Sequence, residues 1–370
     1  MKKRVVWVGV LLVVTCATIA RGQKPVTENL VVVTLDGLRW KELFEGADAK
    51  ILFNDRFVRD PDFVDRMWES NVVERRKRVM PFVWDVVAAQ GQLYGNRYFG
   101  NNVDCVNRHL ISYPGYSDML LGFRDRNVSS NRAVAHPHPT VFEHIANHFR
   151  FSDEVAVFAT WDAFRFIFRK DKSQLYVNAG NDTAAGNLSQ REKALNALMQ
   201  AGSRRTDSIT FHFAMAYLER VRPRVTFIGF DGTDHHAHAG RYDEYLRAAG
   251  RADAMIRNLW NWLQAQPDYA NRTTLLITTD HDRGNGRRNW RKHGLLARGS
   301  RHIWFAVIGP DTPAFGEMKT RTTLHQTQVA ATIAAFLGIT YTAEQPIADV
   351  VQTMIARPTE KTVLSLFGEP

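Results

Sequence analysis

The sequence predicts an α/β fold in which a mainly parallel central sheet is sandwiched by helices, with cap insertions at its edge. Three observations lead there. Near-continuous runs of β-branched and apolar residues recur at Asn29–Leu35 (which holds Leu-Val-Val-Val-Thr-Leu), 224–230, 273–279 and 302–308. Runs of this kind, lacking apolar/polar alternation, suit strands covered on both faces. Helical patterns lie between or after them, as at 241–264 and 326–337, and such alternation is the signature of helices packed on a parallel sheet. Finally, Asp36, Asp231 with Asp234, and Asp280-His281 each follow one of the apolar runs. In an open α/β sheet, ligands bind beyond the carboxyl ends of the strands.

The chain has 370 residues, 45% hydrophobic and 23% charged, enough to bury a large core and too apolar for a disordered chain. Lys2-Lys3-Arg4 precede an apolar run over 5–20, followed by Ala20-Arg21-Gly22. This is the pattern of a secretory signal, expected to span residues 1–22 and to be removed. The run falls short of the roughly 20 apolar residues that a spanning helix needs. The expected product, residues 23–370, is one catalytic domain without a stable membrane anchor, exported to the periplasm or the medium. Val13-Val14-Thr15-Cys16 is a poor lipoprotein box, and only Cys105 remains after cleavage, so no internal disulfide can form. Four of the basic residues behind the net charge of +10 (Lys2, Lys3, Arg4 and Arg21) lie in the signal. That balance suits a small anionic substrate and argues against nucleic acid. Stretches 49–79 and 122–189 read as insertions over the sheet edge, the second, with Tyr176-Val177-Asn178 and helical pieces, as a small cap. Insertions at such a mouth commonly set substrate choice. In the helix over 241–264, the stripe Tyr242, Leu246, Ala249, Met255, Ile256, Leu259 and Leu263 reads as core.

One aspartate after a strand is ordinarily a turn or cap residue; three strand ends, two with histidines attached, point to divalent-metal chemistry, for which Asp and His are suitable ligands. Residues 231–240 offer two Asp-to-His pairs four apart, Asp231/His235 and Asp234/His238, and His293-Gly294 supplies another histidine. His144 and His148 are also four apart, but Glu143 precedes them, which differs from the zinc-protease motif and reads as helix surface. His136-Pro137-His138 reads as loop and His325 as the beginning of the last long helix. Ser112, ahead of Tyr113-Pro114-Gly115-Tyr116, reads as the start of a helix whose free amides favour a phosphoryl oxygen. A hydroxyl is a weak nucleophile at neutral pH, and metal coordination activates it without a histidine base.

In order, Leu35-Asp36-Gly37-Leu38-Arg39, Ser112-Tyr113-Pro114, Asp234 to His238, Thr279-Asp280-His281 and His293-Gly294 resemble the alkaline phosphatase superfamily. The branch they look most like is the nucleotide pyrophosphatase/phosphodiesterase group with its bacterial relatives, over about residues 29–337. The resemblance implies hydrolysis of a small phosphate ester through a phosphoseryl intermediate on Ser112. It implies two divalent ions, zinc first, with manganese or magnesium as alternatives. One would be held by Asp36, Ser112, Asp280 and His281, the other by Asp234, His238 and His293. Asp234/His238 is preferred over Asp231/His235 because residues 233–243 look like the bacterial pattern Thr-Asp-x-x-Ala-His-x-Gly-Arg-Tyr-Asp; His235 and His236 would then flank the pocket. Three departures stand out: Ser112 in place of the usual threonine, Pro114-Gly115-Tyr116 in place of Pro-Asn-His, and Asp282-Arg283-Gly284 after the Asp-His pair in place of Gly-Met. Asn101, Asn102 and Asn107 are candidates for an amide donor to the phosphoryl oxygen, and Arg39 either faces the substrate or is structural. The alternatives are a phosphoglycerate mutase-like metalloenzyme, a sulfatase (which needs Arg where Tyr116 stands) and a non-catalytic binding protein.

Overall fold

All seven residues of β1 (Asn29–Leu35) are buried because both faces of the strand are covered. The computed structural model describes residues 26–149 and 154–355; the expected signal, residues 1–22, lies outside them. Along β1, Val31, Val33 and Leu35 join one apolar core and Leu30 and Val32 the other, the alternation that a pleated strand imposes. Leu246, Ile256, Leu259 and Leu263 of the Tyr242–Ala265 helix pack into the first core. Met119 and Leu120 of the Ser112–Leu121 helix and Ile333 of the Gln328–Phe336 helix pack into the second. Helices therefore cover both faces of the sheet.

The central sheet has eight strands in the order β10-β2-β9-β7-β1-β6-β4-β5. They are β2 (Gln92–Tyr94), β4 (Val155–Ala159), β5 (Tyr176–Ala179), β6 (Val225–Phe230), β7 (Thr273–Thr278), β9 (Phe305–Ile308) and β10 (Gly316–Glu317) beside β1. β1 runs parallel to β6 and β7, with Leu35 opposite Phe230 and Thr34 opposite Thr278. That register delivers Asp36, Asp231 and Asp280 to one edge. β3 (Asn101–Asp104), β8 (His302–Ile303) and β11 (Thr322–His325) form a separate three-stranded sheet.

Two expectations change. The 302–308 run is two strands: β8 pairs with β3 in the small sheet, while β9 lies antiparallel to β7. Trp304 sits at the break, buried, with its indole Nε1 donating to Leu38 O at 2.9 Å. The 122–189 stretch is not simply a cap, because it contains β4 and β5, which extend the central sheet in parallel from β6. Val155-Ala-Val-Phe-Ala is too short a run for periodicity to separate strand from helix. The 49–79 stretch forms helices Ala49–Leu52, Pro61–Met67 and Val72–Val79, begun by the side chains of Asp48, Asp60 and Asn71. Ile51, Leu52, Phe63 and Val79 sink into the first core. Met255, part of the stripe expected for its helix, is only partly buried but packs against the first core. No described helix is long and apolar enough to cross a membrane.

Asp253, buried on the long helix, accepts the Phe82 and Val83 amides at 2.8 and 3.0 Å. Burial raises its carboxyl from 3.8 to about 6 despite those bonds. An acid whose folded pKa is raised favours the folded state when protonated. This contribution is therefore complete below about pH 4 and lost as pH rises through about 6. In urea titrations across that window, Asp253→Asn should flatten the fall in stability by up to about 3 kcal/mol; an unchanged slope refutes the assignment.

Candidate metal centre

The Ser112–Leu121 helix presses at Gly115 on Asp280, just after β7, and brings Ser112 to His281, which Asp36 and Asp280 also approach. His281 Nε2 lies 3.3 Å from Ser112 Oγ, 3.4 Å from Asp280 Oδ2 and 3.6 Å from Asp36 Oδ1. Bonds of about 2.0–2.1 Å to a tetrahedral zinc place its ligands about 3.3–3.4 Å apart, so these separations fit a single divalent ion. Asp36 Oδ1 and Asp280 Oδ2 are buried without a hydrogen-bond partner, as oxygens kept for a cation would be. The His281 ring supports the same reading: with Nδ1–H donating to Asp282 O at 3.0 Å, Nε2 presents a lone pair to the cluster.

Asp234, His238 and His293 assemble next to it. His238 Nε2 is 3.3 Å from Asp234 Oδ2 and 3.0 Å from His293 Nε2, which lies 3.8 Å from Asp234 Oδ1. His293 Nδ1–H donates to Leu110 O at 3.2 Å, again leaving Nε2 as the acceptor. The His281 and His293 rings stack with centroids 4.0 Å apart, joining the two halves. One constraint appears here that the sequence did not reveal. The buried Arg283 guanidinium pairs with Asp234 Oδ1 and donates to Gly37 O at 3.1 Å and Arg291 O at 3.0 Å. Asp234 Oδ2 is the oxygen left toward His238. Gly37 adopts φ +60°, and a Cβ there would lie 2.8 Å from Arg283 Nε, so glycine makes room for this cation.

The electrostatics are those of a site built around positive charge. Burial, then the charges of Asp280 and Asp231, push the Asp36 carboxyl far up, and burial raises Asp280 to about 7. Burial also drives His281 well down and His293 to about 3. Left to themselves, all four groups tend toward neutrality; a divalent ion favours ionised carboxylates and unprotonated imidazoles.

Several supporting residues were missed. Tyr116, one helical turn after Ser112, is fully buried and donates to Asp36 Oδ2 at 3.3 Å. Its i,i+4 spacing from Ser112 was a signal that it shares that face. Gly115 lets the helix press on the loop after β7, since a Cβ there would be 2.5 Å from Asp280 O. Gln326 Nε2 braces the same carbonyl at 2.6 Å. Asn131 Oδ1 accepts the Tyr113 amide at 2.9 Å, capping the first turn of the Ser112 helix.

Other candidates lie elsewhere. Asp231 and His235 line a separate cavity. Asn101 bonds Gly95 N and Thr320 O, and Asn102 reaches Thr323; Asn107 Oδ1 accepts from Leu110 N, while its Nδ2, an amide donor, is buried without a hydrogen-bond partner. Arg39 is buried against Glu42 and Asp48 and is structural. His136, expected in a plain loop, is buried and bonds Ser117 Oγ at 2.8 Å. His144 contacts Thr340 O from an exposed position, and the exposed His325 ends β11, short of the last long helix.

Tyr116→Phe removes the donor to Asp36 while preserving the ring. Zinc affinity measured by competition with a chromophoric chelator should weaken about tenfold; unchanged affinity would show that the bond does not orient Asp36.

No protein-family model matches the sequence, and no curated protein matches it significantly. Among solved structures, the phosphonate monoester hydrolase of Agrobacterium radiobacter is 12% identical with a TM-score of 0.57, over 91% of this chain and 78% of that one. Wild-type alkaline phosphatase PafA is 10% identical with a TM-score of 0.56, over 90% of this chain and 99% of its own. A putative sulfatase from Bacteroides thetaiotaomicron is 12% identical with a TM-score of 0.56, over 91% and 76%. At these identities the likeness concerns architecture alone: the chain shares the fold of these hydrolases.

Proposed function

We propose that this protein is an exported, metal-dependent phosphate-ester hydrolase that works through a phosphoseryl intermediate on Ser112. The observation that carries the reading is the convergence of Ser112 Oγ, Asp36 Oδ1, Asp280 Oδ2 and His281 Nε2 around one point. Asp36, Ser112, Asp280 and His281 would hold one divalent ion, zinc first, and Asp234 Oδ2, His238 and His293 the other. When bound, such ions lower the pKa of an adjacent hydroxyl and offset charge on a phosphoryl group.

Ser112 lies at the amino end of its helix, where unpaired amides favour phosphoryl oxygens. Its Oγ attacks phosphorus in line, the phosphorus–oxygen bond to the leaving group breaks, and the departing alkoxide takes a proton. Water then attacks the phosphoserine, releasing inorganic phosphate and restoring the Ser112 hydroxyl. Arg283 fixes the carboxylate of Asp234 and the turn after β1 while remaining buried, so its role is to position them. Tyr116 weighs against sulfatase chemistry: it occupies the place of the arginine that the sulfatase motif needs and is engaged with Asp36.

Ser112→Ala should reduce hydrolysis of a chromogenic phosphate ester below about a hundredth of wild type, with the metal content found by elemental analysis retained. Activity above about a tenth removes Ser112 as nucleophile. Chelation should abolish turnover and added zinc restore it. An isomerised phosphate ester in place of free phosphate would favour the mutase alternative.

A further inference from the structure

We infer that the turn after His293 docks the protein on an anionic lipid surface, with two exposed leucines entering the interface and the cations around them meeting the headgroups. Such docking does not depend on the chemistry at Ser112.

The turn is anchored at its base and projects at its tip. Ala297 N donates to Gly294 O at 2.9 Å, closing a turn whose two central residues are Leu295 and Leu296. Gly294 and Ala297 on either side are buried. Upstream, Trp290 is fully buried and edge-on to the Phe57 and Tyr242 rings, with centroids 5.6 and 5.1 Å away. Leu295 is nevertheless 68% exposed and Leu296 95%, the most exposed large hydrophobic side chain among the described residues. Central turn positions usually take Gly, Asn, Asp, Ser or Pro, which suit the bend and tolerate water. Adjacent leucines there leave apolar surface in water, and entry into an apolar phase relieves it.

The charge around the turn says which apolar phase this is. From Arg283 to Arg301 the chain carries seven Lys or Arg residues and no carboxylate. Arg283 is turned inward onto Asp234. Arg287, Arg288, Lys292, Arg298 and Arg301 are exposed, and among the described residues none of the five forms an ion pair with a carboxylate. Unpaired cations around protruding leucines fit a bilayer that contains anionic lipid: headgroup phosphates meet the cations while the leucines reach the acyl boundary. A nucleic acid supplies phosphates without an apolar phase and leaves the leucines in water. The turn also adjoins the candidate metal centre. A Cβ on Gly294 would lie 3.7 Å from His109 O and 3.9 Å from Ile111 Cγ2, so the turn packs against the segment leading into the Ser112 helix. Docking there brings that centre toward the headgroups.

The test is flotation of the exported form with vesicles of phosphatidylcholine, alone or with about 30% phosphatidylglycerol. Partition into the anionic vesicles should exceed that into the neutral ones by about tenfold and fall as salt rises from about 0.1 to 0.5 M. Leu295→Ser combined with Leu296→Ser should weaken anionic binding about tenfold, and Arg287→Gln combined with Arg288→Gln by a similar factor. Leu295→Phe with Leu296→Phe keeps the apolar bulk and should retain binding, which separates lost insertion from lost folding. Every variant has the same amino terminus, so the differences between them read this loop. Wild type that ignores both vesicles, or a serine variant that partitions as wild type does, overturns the inference. So does binding of a DNA duplex in place of vesicles, lost with the two arginines and kept without the two leucines, which would mark a nucleic-acid face.

Discussion

Asp36 and Asp280 are buried together at the ends of adjacent parallel strands, each with a carboxylate oxygen lacking a hydrogen-bond partner. Two such groups are costly to ionise in a low-dielectric interior unless positive charge meets them. Much of the surrounding structure answers that demand. Gly37 donates its amide to Asp280 Oδ1 at 3.1 Å, Tyr116 donates to Asp36, and both buried imidazoles turn unprotonated nitrogens inward. Arg283 is a buried cation beside these groups; it pairs with Asp234, and its charge also bears on Asp36. Without a further cation, burial keeps both carboxyls raised toward their protonated forms.

The edge that carries the chemistry was legible because β1, β6 and β7 are nearly unbroken apolar runs, each ending in an aspartate. Parallel pairing then sends those aspartates to one side, whatever the details of packing. The choice between Asp234/His238 and Asp231/His235 was settled in the sequence only by likeness to a known pattern. In the structure it is a matter of helix rotation: the two ridges are neighbours, and one faces His293 while the other faces a cavity.

What stayed hidden depended on tertiary contacts with no local sign. Arg283 was visible as a departure from the expected motif, but nothing in its surroundings along the chain indicates that it folds back onto Gly37 and Asp234. The split at Trp304 was masked because the run is apolar throughout, and only the anchoring of its indole to Leu38 separates the two strands. β4 and β5 were read as part of a cap because they are short and lie among helical segments. Asn131, close to the helix of Ser112, was passed over in favour of Asn101 and Asn102, whose side chains are engaged elsewhere, and of Asn107, whose Nδ2 is buried without a hydrogen-bond partner.

The position of β1 has a consequence for biogenesis. It is the first strand among the described residues, yet its sheet neighbours are β6 and β7, both far downstream. A nascent polypeptide thus carries this apolar strand without either neighbour until β6 and β7 have been synthesised, a state prone to aggregation. Pairings of such long range also slow folding. The residues of the candidate metal centre at the ends of these strands come together only in molecules whose sheet has closed.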